Sequence, residues 1–147
     1  MLNALKETKV TRILNAVAAG QTVQPSAIVD MKNFDGVVFI ALFGSITTGA
    51  VTSLKAQQGQ ESDMSDAADL EGSKVDIDDD RGNDCLVLDI FRPRERYLKA
   101  VISRATQDSV IDGVLAIQYK ASYMPTTQDA ASIAGSKFLL SPAEGTA

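Results

Sequence analysis

Seven consecutive apolar residues, Val-Val-Phe-Ile-Ala-Leu-Phe at positions 37–43, lie between Gly36 and Gly44. The run is short for a helix, and it predicts a strand buried on both faces. Such a strand needs cover on either side, from a second sheet or a neighbouring subunit. Period-two patterning recurs along the chain. Positions 50–57 set Ala50, Thr52, Leu54 and Ala56 on one side, and positions 96–103 group Leu98, Ala100 and Ile102. Positions 110–120 place Ile111, Leu115, Ile117 and Tyr119 together, with Gly113 marking a bulge. Positions 85–91 read as a central core strand that stops near Pro93, positions 74–79 as an edge strand, and positions 9–17 as a strand closed by Gly20. Asn33-Phe-Asp-Gly36 reads as a turn, and positions 64–70 as a short helix capped by Asp63 or Ser65.

Short strands, little helix and no βαβ rhythm predict an all-β chain, an antiparallel β-sandwich or jelly-roll-like barrel with extended terminal arms. The expected organisation is an N-terminal arm at 1–8, a β domain at 9–123 and a C-terminal arm at 124–147. That last arm is rich in Ser, Ala, Gly and Thr, with one apolar patch at Phe138-Leu-Leu140.

The 147 residues include no histidine and a single cysteine, Cys85. Without histidine, Ser-His-Asp and Cys-His catalysis are eliminated, together with most transition-metal sites. One cysteine forbids an internal disulfide framework and a cysteine-based zinc cluster. Asp76-Ile-Asp-Asp-Asp80 invites calcium, but an EF-hand loop starting at Asp76 would find Arg81 and Val87 where it needs Gly and Glu. Asp78, Asp80, Asp84 and Asp89 are candidates for paired-carboxylate hydrolysis, yet the chain has no Trp and few aromatics to line a sugar cleft. Gly44-Ser-Ile-Thr-Thr-Gly49 has no following Lys and fails as a phosphate loop. The expectation is no catalytic residue, no cofactor and no metal.

The net charge is −5. Wholesale phosphate binding is disfavoured by this balance, so no direct nucleic-acid partner is expected. No apolar run reaches the about 18 residues of a membrane helix, and no membrane partner is expected. The charge is unevenly placed. Nine of the 19 acids lie between Glu61 and Asp80, and five of the 14 bases between Arg92 and Arg104. Arg92, Arg94 and Arg96, in Arg92-Pro-Arg-Glu-Arg-Tyr97, are the candidate partner-contact residues, because guanidinium groups bind carboxylates or phosphates bidentately.

Several segments together carry a resemblance. They are Leu14-Asn-Ala-Val-Ala-Ala-Gly20, Phe34-Asp-Gly-Val-Val-Phe-Ile-Ala-Leu-Phe-Gly44, Thr48-Gly-Ala-Val-Thr52, Ala67-Ala-Asp-Leu-Glu-Gly72, Ile90-Phe-Arg-Pro-Arg-Glu-Arg-Tyr97 and Val110-Ile-Asp-Gly-Val-Leu-Ala-Ile-Gln-Tyr119. In this order, over roughly Lys9 to Lys120, the chain resembles small structural proteins of tailed-phage virions, nearest to capsid decoration or cement proteins. None of the segments is a catalytic signature. The resemblance implies a homo-oligomer, commonly a trimer, seated on the outer capsid surface against the major capsid protein and assembled in the host cytoplasm. A head–tail connector or tail component is the alternative. A carbohydrate-binding module is a further one, and it should show an exposed aromatic platform.

Overall fold

The computed structural model describes residues 3–146. After a single helical turn, α1 (Ala4–Glu7), capped by Asn3, the chain is built of strands. They are β1 (Lys9–Leu14), β2 (Val17–Gly20), β3 (Gln24–Pro25), β4 (Val29–Asp30), β5 (Phe34–Ile46), β6 (Val51–Gly59), β7 (Ala68–Asp69), β8 (Val75–Ile77), β9 (Cys85–Phe91), β10 (Tyr97–Ala105) and β11 (Ser109–Ala121). All pairings are antiparallel. The first sheet runs β1-β11-β5-β9, with β2 also on β11. The second runs β3-β10-β6-β7, with β4 on β10 and β8 on β6. The two pack face to face as a β-sandwich.

The alternation explains the core. Val37, Phe39, Ala41 and Phe43 of β5 are fully buried and meet Leu54, Ala56, Leu98, Ala100 and Ile102 of the second sheet in one apolar cluster. The groupings expected for β6 and β10 are those observed.

Several expectations need correction. The strand expected at 37–43 extends in both directions, and Asn33-Phe-Asp-Gly36 is only in part a turn: Phe34, Asp35 and Gly36 belong to β5. Its second face is not buried either. Val38 and Ile40 are half-exposed and Leu42 is exposed. On β11 a register shift between Ile111 and Gly113 changes the phase of the alternation. Ile111, Val114 and Ala116 therefore point into the core, while Leu115, Ile117 and Tyr119 turn to the opposite face instead of sharing a side with Ile111. β9 has the expected bounds but lies at the end of its sheet, exposing Cys85, Val87, Asp89 and Phe91. No helix forms at 64–70. The Asp66 carboxylate accepts the N–H groups of Gln60 and Glu61, and Asp63 accepts that of Ser65. Met64 adopts a φ of 58° and tucks under the loop. Side-chain acceptors here outcompete helical carbonyls for the backbone donors.

The terminal arms meet each other. Thr126 donates its N–H to Lys6 O and its hydroxyl to Thr8 O, and the Gln128 amide donates to Leu5 O and Thr8 O. Gln128 and Ser132 then accept the N–H groups of Val10 and Arg12, which covers the open edge of β1. Met1 and Leu2 of the expected N-terminal arm, and Ala147 of the C-terminal one, lie outside the described residues.

Candidate interaction surfaces

The three arginines singled out in the sequence lie on the β9–β10 connection, exposed but in unlike states. Arg96 is already paired: its Nε and Nη2 each donate to the Asp30 carboxylate at 2.8 Å, a bidentate contact from β4. Arg96 raises its own basicity by that bond and holds the Asp30 carboxyl below the usual carboxylate range, against a smaller opposing effect of burial. Arg92 sits at a φ of 52° with its guanidinium 5.1 Å from the Phe91 ring centre. Arg94 forms no hydrogen bond or ion pair among the described residues. The three rim a concavity of about 460 Å³ that also includes Met31, Phe34 and Gln60. Arg92 and Arg94 thus remain available to an acidic partner, while Arg96 fastens the loop. The Asp30 contact spans 66 residues of chain, so local pattern could not signal it.

The outer face of the first sheet is the second surface, and the β11 register adds Leu115 and Ile117 to it. Across the strands, Val10, Ile117 and Val38 stand in one row, ending at Asp89. Arg12, Leu115, Ile40 and Val87 make the next, and Leu42 pairs with Cys85 beyond it. Val87 is 54% exposed and Phe91 49%. The outer face of the second sheet is more polar, with Lys55, Gln57, Lys99 and a Lys55–Asp69 ion pair beside the exposed Val51. The sandwich has two unlike sides. A contiguous apolar sheet face left to solvent marks a binding surface more often than chance exposure.

At one end of this face Tyr119, Gly36 and Phe91 form a row. The Phe91 and Tyr119 rings stack with centres 6.4 Å apart, 9° between their planes. A Cβ on Gly36 would come within 2.2 Å of the Tyr119 ring, so glycine is what lets the ring lie across the strand. Tyr119 donates its hydroxyl to Asp89 at 2.6 Å. Burial first, then that bond, push the phenol up to about 12 from 10.0. A raised phenol contributes stability that is complete below its unfolded value and is lost as pH rises through the folded one. Spectroscopic titration should therefore show Tyr119 ionising well above the ordinary tyrosine value of 10.0, with stability falling between those two values. Gly36→Ala displaces the ring, and the late transition is expected to move back toward the ordinary tyrosine range; an unmoved transition would refute the packing argument.

The acidic segment is occupied with its own loops. Asp69 accepts Lys55 and Gln57, Asp79 accepts the Gly49 N–H, and Arg81 pairs with Asp84. Among the described residues no group of three or more His, Cys, Asp and Glu side chains could hold a metal ion. Asp89, within the apolar strand β9, is exposed and serves Tyr119. No protein-family model and no curated protein matches this chain. The fold and its surfaces define an antiparallel β-sandwich with one apolar outer face, one more polar outer face and a basic loop at the end of the edge strand.

Proposed function

We propose that the protein is a structural component of a tailed-phage virion that decorates the outer capsid shell as a homo-oligomer, bridging neighbouring capsid subunits. The supporting observation is the apolar outer face of the first sheet, where Val38, Ile40, Leu42, Val87 and Phe91 remain accessible beside Arg92 and Arg94. An assembly component uses such surfaces for lateral contact, and the available arginines suit carboxylates on the shell. Once one protomer docks, contacts by the others become intramolecular, so weak individual contacts suffice. Each exposed arginine contact is worth only about 0–1 kcal/mol.

Binding to expanded empty capsids, first at low and then at high salt, tests this reading. Replacing Arg92 and Arg94 with alanine should weaken binding and flatten its salt dependence, and adding Arg96→Ala should act mainly by loosening the loop from Asp30. Undiminished binding by the folded double variant would remove the arginines from the mechanism. Wild-type protein that ignores capsids but joins purified necks or tails would replace shell decoration with the connector reading.

A further inference from the structure

The first sheet has two edges in unlike states. β1 is covered by Gln128 and Ser132 of the C-terminal arm, whereas β9 pairs only with β5 and, among the described residues, has no strand on its other side. β9 contains no Lys or Pro to discourage pairing, and an apolar strand with an open edge is a template for another strand. It leaves apolar surface on both faces: Val87 and Phe91 outward, and the half-buried Leu88 and Ile90 inward. The same chain carries an unused apolar segment. Phe138, Leu139 and Leu140 are 51%, 59% and 82% exposed and belong to no strand.

We propose that residues 137–144 of a second copy add as a strand to the free edge of β9. Successive side chains of a strand alternate, so Phe138 and Leu140 cover one face of the β9 edge while Leu139 covers the other. Backbone pairing supplies attraction and these side chains supply fit, as in recognition by strand addition. The charges give the direction. Lys137 precedes the apolar residues and Glu144 follows them; β9 begins at a concavity lined by Asp76, Asp78, Asp84 and Arg81, where Asp76 pairs with Lys74 and Asp84 with Arg81 while Asp78 has no ion pair among the described residues, and it ends at Arg92 and Arg94. Parallel addition brings Lys137 to the acidic end and Glu144 to the basic end. Pro142 is tolerated because an added strand needs its N–H groups on one side only.

A second copy is favoured over the chain's own arm. That arm starts from the opposite edge, with β11 and β5 intervening, and the Phe138 ring stays 5.9 Å from Lys6 Nζ beside α1. A contact of one copy's arm with the next copy's edge is heterologous, and it closes into a ring when the rotation permits. This inference deepens the oligomer of the shell-decoration reading and rests on it.

The lone cysteine provides the test. Cys85 is exposed at the start of β9, and in the parallel register that sets Phe138 beside Val87, Ser136→Cys, just before the added segment, places a thiol level with it. Neighbouring strand positions lie within the roughly 4.4–6.8 Å Cα separation that a disulfide accepts. Under mild oxidation the full-length Ser136→Cys protein should run as covalent multimers on a non-reducing gel, and the wild type as a monomer. Leu139→Asp with Leu140→Asp should reduce the light-scattering mass from a multimer to the 15.6 kDa of one chain. An internal disulfide in a monomeric Ser136→Cys protein, a wild-type Cys85–Cys85 dimer, or an unchanged mass in the double aspartate variant would each overturn the proposal. If the contact fails while wild-type protein still coats capsids, the arm exchange is wrong and the decoration reading stands. Cross-linked rings that ignore capsids would instead uphold the arm exchange and discard shell decoration.

Discussion

Arg104→Met is expected to cost roughly 3–5 kcal/mol, the range for removing one member of a buried charge-assisted set. Arg104 is 3% exposed and has no carboxylate partner among the described residues. Its Nε donates to Thr22 O, Nη1 to Ala18 O and Ser109 O, and Nη2 to the Thr22 hydroxyl. One guanidinium thus ties β10 to β2, to the turn before β3 and to β11. Burial lowers its basicity, with Asp108 opposing, and arginine's very high starting value keeps it charged. Methionine matches the stem but removes the guanidinium donors to three carbonyls, while the Thr22 hydroxyl keeps the Gln24 amide as a donor. A domain of this size has only about 5–15 kcal/mol in total. The melting temperature should fall by on the order of 10 °C, since each kcal/mol is worth about 2–4 °C. Arg104→Lys should recover only part, because an ammonium is a point donor and cannot span acceptors on separate segments. Urea denaturation showing under about 1 kcal/mol of loss would mean that water replaces the guanidinium at these carbonyls.

That cluster shows where local reading stops. β6 and β10 were legible because burial on one face imposes alternation within each strand, and Leu54, Ala56, Leu98, Ala100 and Ile102 occupy the expected inner positions. What Arg104 touches depends on which segments the sheet order brings to one end of the sandwich. The same holds for Arg96, whose Asp30 partner sits on β4. β9 looked like a central strand because its composition is apolar, but composition does not say whether a neighbour lies on both sides. On β11, Gly113 pointed to the bulge, yet the consequence of a bulge is a change of phase, so Ile111 and Leu115 part company across it. The middle of the apolar outer face, Leu115 and Ile117, follows from that one shift. Within residues 64–70 the composition suited a helix, and the carboxylates of Asp63 and Asp66 instead captured nearby backbone donors.

The unlike faces bear directly on the proposed function. Had Leu115 and Ile117 stayed in phase with Ile111, they would have turned inward, and the outer face would have lost its middle. Instead the core takes the small Ala116 opposite Phe39, and the larger Leu115 and Ile117 go outside. Apolar bulk has been placed where the monomer cannot bury it, which is the arrangement an assembling subunit uses.

Phe39→Ala and Ile40→Ala should therefore separate folding from assembly on adjacent residues of one strand. Phe39 is fully buried among the side chains of both sheets. Truncating a buried phenylalanine costs about 3–5 kcal/mol, part from lost transfer energy and part from the cavity that remains. That loss should be the same at every protein concentration, because the cavity lies inside one chain. Ile40 points to the other face, is half-exposed, and packs beside Leu115 and Val87. In the isolated chain its truncation should cost only about 1 kcal/mol, for part of a side chain that water already reaches. When copies associate through that face, association stabilises the folded state by mass action, and the wild type gains with concentration what Ile40→Ala cannot. The difference in melting temperature between wild type and Ile40→Ala should widen as concentration rises, while that of Phe39→Ala stays constant. Parallel behaviour of the two variants across concentration would remove the outer face from assembly and leave it an apolar surface of a solitary sandwich.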